Sequence, residues 1–324
     1  MKKIISILLS AIITFSSLLF LSSCTDKNVQ NKDSSDRLSI VTSIFPYYDF
    51  VREIAGDKAD IRLLLQPGNE PHTYEPSPSD IVAIENCDVF IYNGGESDQW
   101  VEDILETSEN KNLKHLRMMD YVNTFCADEY KTEHHHSEDE HNQSEEHHHE
   151  VDEHIWTSVR NAITLSNVIA GTLAEVDASF ADYFRENVEK YIYKLKEIDD
   201  EISLAVEKST KNMLIFGDRF PFLYFASDYN LDYESAFPGC SSETEPSILT
   251  VTHLIDYVRE NKIPMVFYLE FSNGKIAKLI SEDTNAKTMR FSSCHNVAKD
   301  EFEKGCSYIS LMTENVKALK EALS

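Results

Sequence analysis

The chain has 324 residues, 42% of them hydrophobic, and its 56 acidic against 30 basic side chains give a formal net charge of −26. That balance makes nucleic acid and anionic substrates poor partners and cations good ones, and the length suffices for two lobes with cores of their own. Six cysteines without a single CxxC pair argue against a zinc finger or a disulfide framework.

Residues 1–23 read as a secretory signal, because Lys2 and Lys3 precede an apolar run from Ile4 to Leu21. The basic start, the small residues before Cys24 and the polar segment TDKNVQNKDSSD favour cleavage over a membrane-spanning helix. Leu21-Ser22-Ser23-Cys24 resembles a bacterial lipobox, which implies a lipid anchor on Cys24 and an extracytoplasmic, membrane-attached protein. An ordinary signal with a chance cysteine is the alternative. Residues 24–36 then serve as a tether.

An N-terminal lobe is expected over residues 37–157. Strand-like runs at Leu38–Ile44, Asp60–Leu65 and Asp88–Tyr92 alternate with helical stretches at Tyr47–Ala55, Pro78–Asn86 and Asp98–Thr107, the rhythm of a mostly parallel sheet. Ser77, Pro78 and Asp80 supply an N-cap, a proline at the first helical position and an acidic first turn. The loop from Gln66 to Asp80 holds His72 among four prolines. Loops at the carboxyl ends of parallel strands bind ligands in such folds, and a stiff backbone around one imidazole suits a preorganised ligand. A merely solvated histidine is the other reading.

The segment from Glu133 to His154 carries eight histidines and nine carboxylates around one valine, so it cannot bury enough apolar surface to fold. Neutral imidazole and carboxylate oxygen are ligands of borderline divalent metals such as Zn²⁺. His134, His135, His136, His141, His147, His148 and His149 therefore read as an accessory metal-collecting loop within residues 133–154, with a solvated linker whose histidines are incidental as the alternative. His154, where the tract runs into Ile155-Trp156, is either the last histidine of that tract or a ligand of a more selective site.

Residues 158–211 read as linking helices, at Ser158–Glu175 and Ser179–Thr210. The second carries Phe180, Tyr183, Phe184, Val188, Tyr191, Leu195, Ile198, Ile202 and Val206 at helical spacing without Gly or Pro. About 30 residues span about 45 Å of helix, enough to stiffen the connection between two lobes. A C-terminal lobe over 212–324 repeats the βα rhythm. Its strands fall near Met213–Gly217, Leu231–Ala236, Met265–Glu270 and Lys287–Phe291, and its helices near Phe222–Asp228, Ser247–Asn261, Lys275–Glu282 and Ser310–Leu323. The fold class is α/β, with two Rossmann-like lobes of mostly parallel sheets joined by a long rigid helix. Outside the cell one bridge among Cys240, Cys294 and Cys306 can form, with Cys240–Cys294 the favoured pair.

The segment PGNEPHTYEPSPSD resembles the PxxDPHxYEPxPSD segment of the zinc/manganese substrate-binding proteins of ABC transporters, the ZnuA-like or AdcA-like family, and DEHIW resembles that family's DPHIWLDP. The likeness continues through NGGESDQWVEDIL, the long helix and GCSYISLMTENVKALKEAL, covering essentially the whole mature chain. It implies two α/β lobes with a metal held in the cleft by histidines and carboxylates from four loops, His72 and His154 among them. The family's third-ligand segment, HDAFGYFARRYGL, aligns here with DRFPFLYFASDYNL and puts Arg219 at the ligand position. Arginine cannot bind a cation, so Asp218 becomes the replacement, with an N-cap role as the alternative. The fourth family ligand falls within a residue of His295, with Cys294 a weaker candidate. Glu243 and Glu245 can supply a carboxylate or can simply be solvated, and Glu270 can orient a ligating imidazole.

The resemblance thus implies capture of Zn²⁺, with Mn²⁺ also accepted, by a monomer that delivers it to an ABC permease and its ATPase subunit. The alternatives are a metal-binding adhesion or scavenging lipoprotein and a secreted zinc hydrolase. With no HExxH and no Ser-centred elbow in the sequence, the expectation is transport, not catalysis.

Overall fold

The computed structural model describes residues 37–126, 151–237 and 245–324. Cys24, the tract histidines from His134 to His149, Cys240 and Glu243 lie outside them.

The first lobe runs β1 (Leu38–Thr42), α1 (Phe45–Ala55), β2 (Ala59–Leu63), α2 (Pro78–Asn86), β3 (Val89–Tyr92), α3 (Trp100–Thr107) and β4 (Lys114–Arg117). Its four strands are parallel in the order β2-β1-β3-β4. Central β3, VFIY, is buried along its whole length, as a strand covered by helices on both faces must be. The expected cap of α2 forms as a capping box: Ser77 accepts from Asp80 N, and Asp80 accepts from Ser77 N. β4 is missing from the sequence reading for a physical reason: KHLR lies at the sheet edge with only Leu116 buried, so it carries no apolar alternation.

Two helices then link the lobes, α4 (Val159–Val176) and α5 (Ala181–Lys208). The second lobe comprises β5 (Met213–Phe216), α6 (Leu223–Tyr229), β6 (Asp232–Ser235), α7 (Ile248–Glu260), β7 (Met265–Tyr268), α8 (Lys275–Thr284), β8 (Lys287–Arg290), α9 (Lys299–Glu303) and α10 (Tyr308–Ala322). Its sheet repeats the first, parallel in the order β6-β5-β7-β8. The five-residue α9 is too short to carry a helical period and was not anticipated.

The 28 residues of α5 span about 42 Å at 1.5 Å per residue. Phe184, Val188, Tyr191, Leu195, Ile198 and Ile202 form its buried stripe, which packs on α1 from the first lobe, α4 and α10 from the second. One apolar core therefore runs from Phe50 and Trp156 through Tyr191 to Phe222, Phe291 and Leu319. Smaller clusters cover the outer faces of the two sheets.

Buried polar atoms also cross between the lobes. Tyr308 Oη donates to Trp156 O at 2.8 Å, Trp156 Nε1 donates to Ser293 O at 2.8 Å, and Tyr308 N donates to Asp49 Oδ2 at 2.8 Å. Both ends of the Tyr308–Trp156 bond are buried, so Tyr308→Phe strips a carbonyl of its partner and should cost about 1–2 kcal/mol in urea unfolding, without changing secondary structure by circular dichroism.

Candidate metal centre

Three histidines from distant parts of the chain meet where the lobes face each other. His72 lies in a single 3₁₀ turn, Pro71–Thr73, in the loop between β2 and α2. His154 immediately precedes a second such turn, Ile155–Thr157, which leads into α4. His295 lies in the loop between β8 and α9. Their ring centroids form a nearly equilateral triangle, with sides of 5.7 Å (His72–His154), 5.3 Å (His72–His295) and 5.7 Å (His154–His295). One nitrogen from each ring can be chosen so that all three lie within 4.8 Å of one another. Two nitrogens at Zn–N distances of about 2.0–2.1 Å lie about 3.3–3.4 Å apart around a tetrahedral ion, so the rings need to close by up to about 1.5 Å to hold one ion.

Each imidazole is held differently. Asp152 Oδ1 accepts from His154 N at 2.9 Å and faces His154 Nδ1 at 3.2 Å, which aims the opposite nitrogen, Nε2, as donor. His154 is 1% exposed. His295 lies against Trp156, with centroids 4.5 Å apart, and its backbone N donates to Ser293 Oγ at 3.2 Å. Burial, and secondarily the neighbouring His72 and His154, push its pKa well below the usual imidazole range, so it stays in the neutral form that metals bind. His72 is the most open of the three and has Ser97 Oγ at 3.5 Å from its Nδ1.

The loops are locked together. Asn296 Nδ2 donates to Gln66 O at 2.9 Å and to Asn69 O at 3.0 Å, and Gly68 N donates to Val297 O at 2.8 Å. The His72 loop and the His295 loop are thus one hydrogen-bonded unit although they belong to different lobes. A cavity of about 650 Å³ opens from the triad into the second lobe, lined in part by Asp218, Arg219, Glu245, Ile248, Glu270 and Lys275.

Of the expected ligands, the structure brings together His72, His154 and His295. Asp218 is not in the group. Its Oδ1 accepts from Arg219 N at 2.9 Å and its Oδ2 from Leu269 N at 3.3 Å, the capping role that was the alternative reading. Cys294 does not join the group either: its side chain is buried, which pushes the thiol pKa well above its usual range, and Sγ lies 3.8 Å from Ser292 O. The thiol is free, so the bridge to Cys240 is corrected. Glu245 lines the cavity without joining the triad. Glu270 supports the backbone next to His295 and not its ring, accepting from Ser293 N at 2.8 Å and Ser293 Oγ at 2.5 Å. Sequence reasoning missed Asp152, Trp156 and Asn296. Only Asp152 left a usable signal, an acid two residues before a candidate ligand.

Cys126 and Val151, which flank residues 127–150, form an isolated antiparallel bridge three residues before His154.

Comparison with known proteins places these features in context. Residues 40–322 match the family described as zinc-uptake complex component A, periplasmic. The chain is 32% identical over 322 residues to the zinc-binding lipoprotein AdcA of Streptococcus pneumoniae R6, covering 99% of this chain and 61% of that protein. It therefore spans about three fifths of the length of that relative. It is 30% identical over 311 residues to the high-affinity zinc uptake system protein ZnuA of Bacillus subtilis, covering 94% of each. Among solved structures, the Zn(II)-bound ZnuA-like domain of S. pneumoniae AdcA superposes with a TM-score of 0.73 at 28% identity, over 89% of this chain and 99% of that one. The metal-dependent lipoprotein YcdH of B. subtilis superposes with a TM-score of 0.75 at 26% identity, over 89% of this chain and all of that one.

Because both Asp218 oxygens accept backbone N–H groups, Asp218→Asn should leave zinc affinity within about threefold of the parent while lowering stability by about 1 kcal/mol. Chelator competition and urea unfolding of the same samples measure the two effects separately.

Proposed function

Because this chain belongs to the zinc-uptake complex component A family, we propose that it is the extracytoplasmic substrate-binding component of a metal ABC transporter, which captures Zn²⁺ on His72, His154 and His295 and delivers it to a membrane permease driven by an ATPase subunit. The observation that carries this reading is the triangle of three supported imidazoles with nitrogens within 4.8 Å. Three nitrogen donors suit tetrahedral zinc, with the fourth position met by an oxygen from the adjoining cavity. Mn²⁺ prefers more oxygen ligands in a larger shell, so on this donor set it binds as the weaker cargo. Cys24 carries the lipid anchor, residues 24–36 the tether, and 37–157 and 212–324 are the two lobes around linking helices at 158–211. The named relatives support this assignment by their own descriptions as zinc-binding lipoprotein and zinc uptake protein.

The test strips metal from the protein and titrates Zn²⁺ against a competing chelator, with a second copy lacking residues 133–150. Both should bind one zinc tightly, and His72→Ala should weaken that binding by about 100-fold or more. Loss of tight binding with the tract alone would transfer the function from the cleft to the tract and end the proposal.

Proton competition gives an independent check. Zinc needs the imidazoles neutral, so affinity should fall as pH drops through the histidine range. Burial lowers the His295 pKa, so protons compete for this ring only at lower pH, and His295→Ala should weaken zinc binding across the range while the remaining binding stays pH-dependent. Isothermal titrations at several pH values between about 5 and 8 measure both.

A further inference from the structure

One carboxylate beside the triad has a prepared seat and no role in the account above. Glu153 is 9% exposed, and its carbonyl accepts from Asn93 Nδ2 at 2.8 Å. Its carboxylate lies on the 3₁₀ turn Glu96–Asp98, where Oε1 accepts from Ser97 Oγ at 2.5 Å and Oε2 from Ser97 N at 3.2 Å. Gly95 makes the seat available: its φ is +83°, and a Cβ there would lie 2.6 Å from Glu153 Oε2 and 3.0 Å from Glu153 Cβ. Side chain and backbone are therefore both fixed in the protein without metal.

The seat directs the carboxylate at His72. Glu153 Oε1 is 3.8 Å from His72 Nδ1, and Ser97 Oγ is 3.5 Å from the same nitrogen. The Ser97 hydroxyl has a single proton, which goes to Glu153, so its oxygen faces Nδ1 as an acceptor. The order of donation is then His72 Nδ1–H to Ser97 Oγ, and Ser97 Oγ–H to Glu153 Oε1. Asp152 faces His154, and Glu270 accepts from Ser293. Metal-bound imidazoles generally donate their second N–H to a carboxylate or carbonyl, directly or through one intermediary, which fixes the tautomer and makes the ligating nitrogen more basic. In the resembled segment DPHIWLDP a proline, which has no carboxylate, stands where this chain has Glu153.

We infer that Glu153, acting through Ser97, is a positioning residue for His72: it holds the Nδ1–H tautomer, turns Nε2 toward the metal and raises zinc affinity. The inference rests on the triad being the metal site. Binding draws electron density from the ring and makes Nδ1–H a stronger donor, so the two long contacts to Nδ1 shorten in the loaded protein.

The competing explanation is that Glu153 only caps Ser97 N, and Glu153→Gln separates the two. The amide keeps the volume and an oxygen for Ser97 N but removes the charge. The experiment titrates the full, metal-stripped chain with Zn²⁺ against a chelator for the parent, Glu153→Gln and Ser97→Ala. Nitrogen-detected NMR of the imidazoles in each loaded form accompanies the titration. Glu153→Gln should bind zinc about tenfold more weakly with unchanged thermal unfolding of the metal-free protein, and Ser97→Ala, which removes the relay, should show a comparable loss. His72 should carry its proton on Nδ1, with that proton's resonance shifted upfield in Glu153→Gln. Affinities within twofold of the parent in both variants, or metal on His72 Nδ1, would overturn the inference while leaving the cleft site standing. Absence of tight zinc binding by the parent would overturn both. Should Glu153→Gln not fold, Ser97→Ala, an unchanged backbone with the relay removed, decides on the same criteria.

Discussion

The buried amide of Asn296 donates to two carbonyls of the facing loop, Gln66 O and Asn69 O, and the geometry of the cleft depends on this junction between lobes. Backbone groups taken out of water must find partners, and here the carbonyls of the His72 loop find theirs on the His295 loop, with Gly68 N returning a bond to Val297 O. Two segments more than two hundred residues apart in sequence thereby keep a fixed separation. His154 enters from a third direction, with Trp156 tied to Ser293 O behind it. The metal need not gather its ligands from mobile strands of chain. Most of the entropy of bringing them together is met by folding.

The same bonds restrict how the site can open. A wide hinge motion would break the Asn296 pair, the Gly68–Val297 bond and the two Trp156 bonds, each worth about 1 kcal/mol net and more where a buried group is left unpaired. It would also divide an apolar core that runs unbroken along α5 from Phe50 to Phe291. Local movement is cheaper. His72 occupies a single 3₁₀ turn with no buried residue, and the cavity beside it lies against the exposed start of α7, where Ile248 is 85% exposed. Displacing that turn would withdraw one imidazole of the three while the interlobe contacts stay made.

Much of this was legible in the sequence because it was local. Strands β1, β2, β3 and β5 to β8 and the long helix announce themselves through periodicity, the cap at Ser77 through residue type, and the His72 loop through its prolines. The edge strand β4 and the short α9 were not legible, since neither has enough buried residues to show a period. The long-range partnerships were not legible either. Nothing in Asn296 points to Gln66, or in Trp156 to Ser293, because those pairs exist only once both sheets are stacked around α5. Asp218 shows a related limit: a carboxylate at a strand end is equally suited to a cation and to backbone N–H groups, and the bond from Leu269 N, fifty-one residues away, is visible only in the fold.

The charge of the site closes the physical account. Three imidazoles are neutral donors, so a divalent cation on them would keep its full charge in a partly enclosed cleft, a costly arrangement in low dielectric. Yet carboxylates stand one layer behind each ligand: Asp152 on His154, Glu153 near His72, and Glu270 on the Ser293 beside His295. They lower the cost of the cation through space while remaining bonded to protein groups, so none has to leave a partner when the metal arrives or departs. Burial pushes the Glu270 pKa up despite its bonds from Ser293 and the nearby Arg290, which marks the expense of keeping that negative charge buried. A bound cation would relieve that expense. The metal and these acids are therefore coupled electrostatically even though the ligand atoms are nitrogen, and the cleft combines neutral first contacts with a negative surround suited to a cation that must be held and later released.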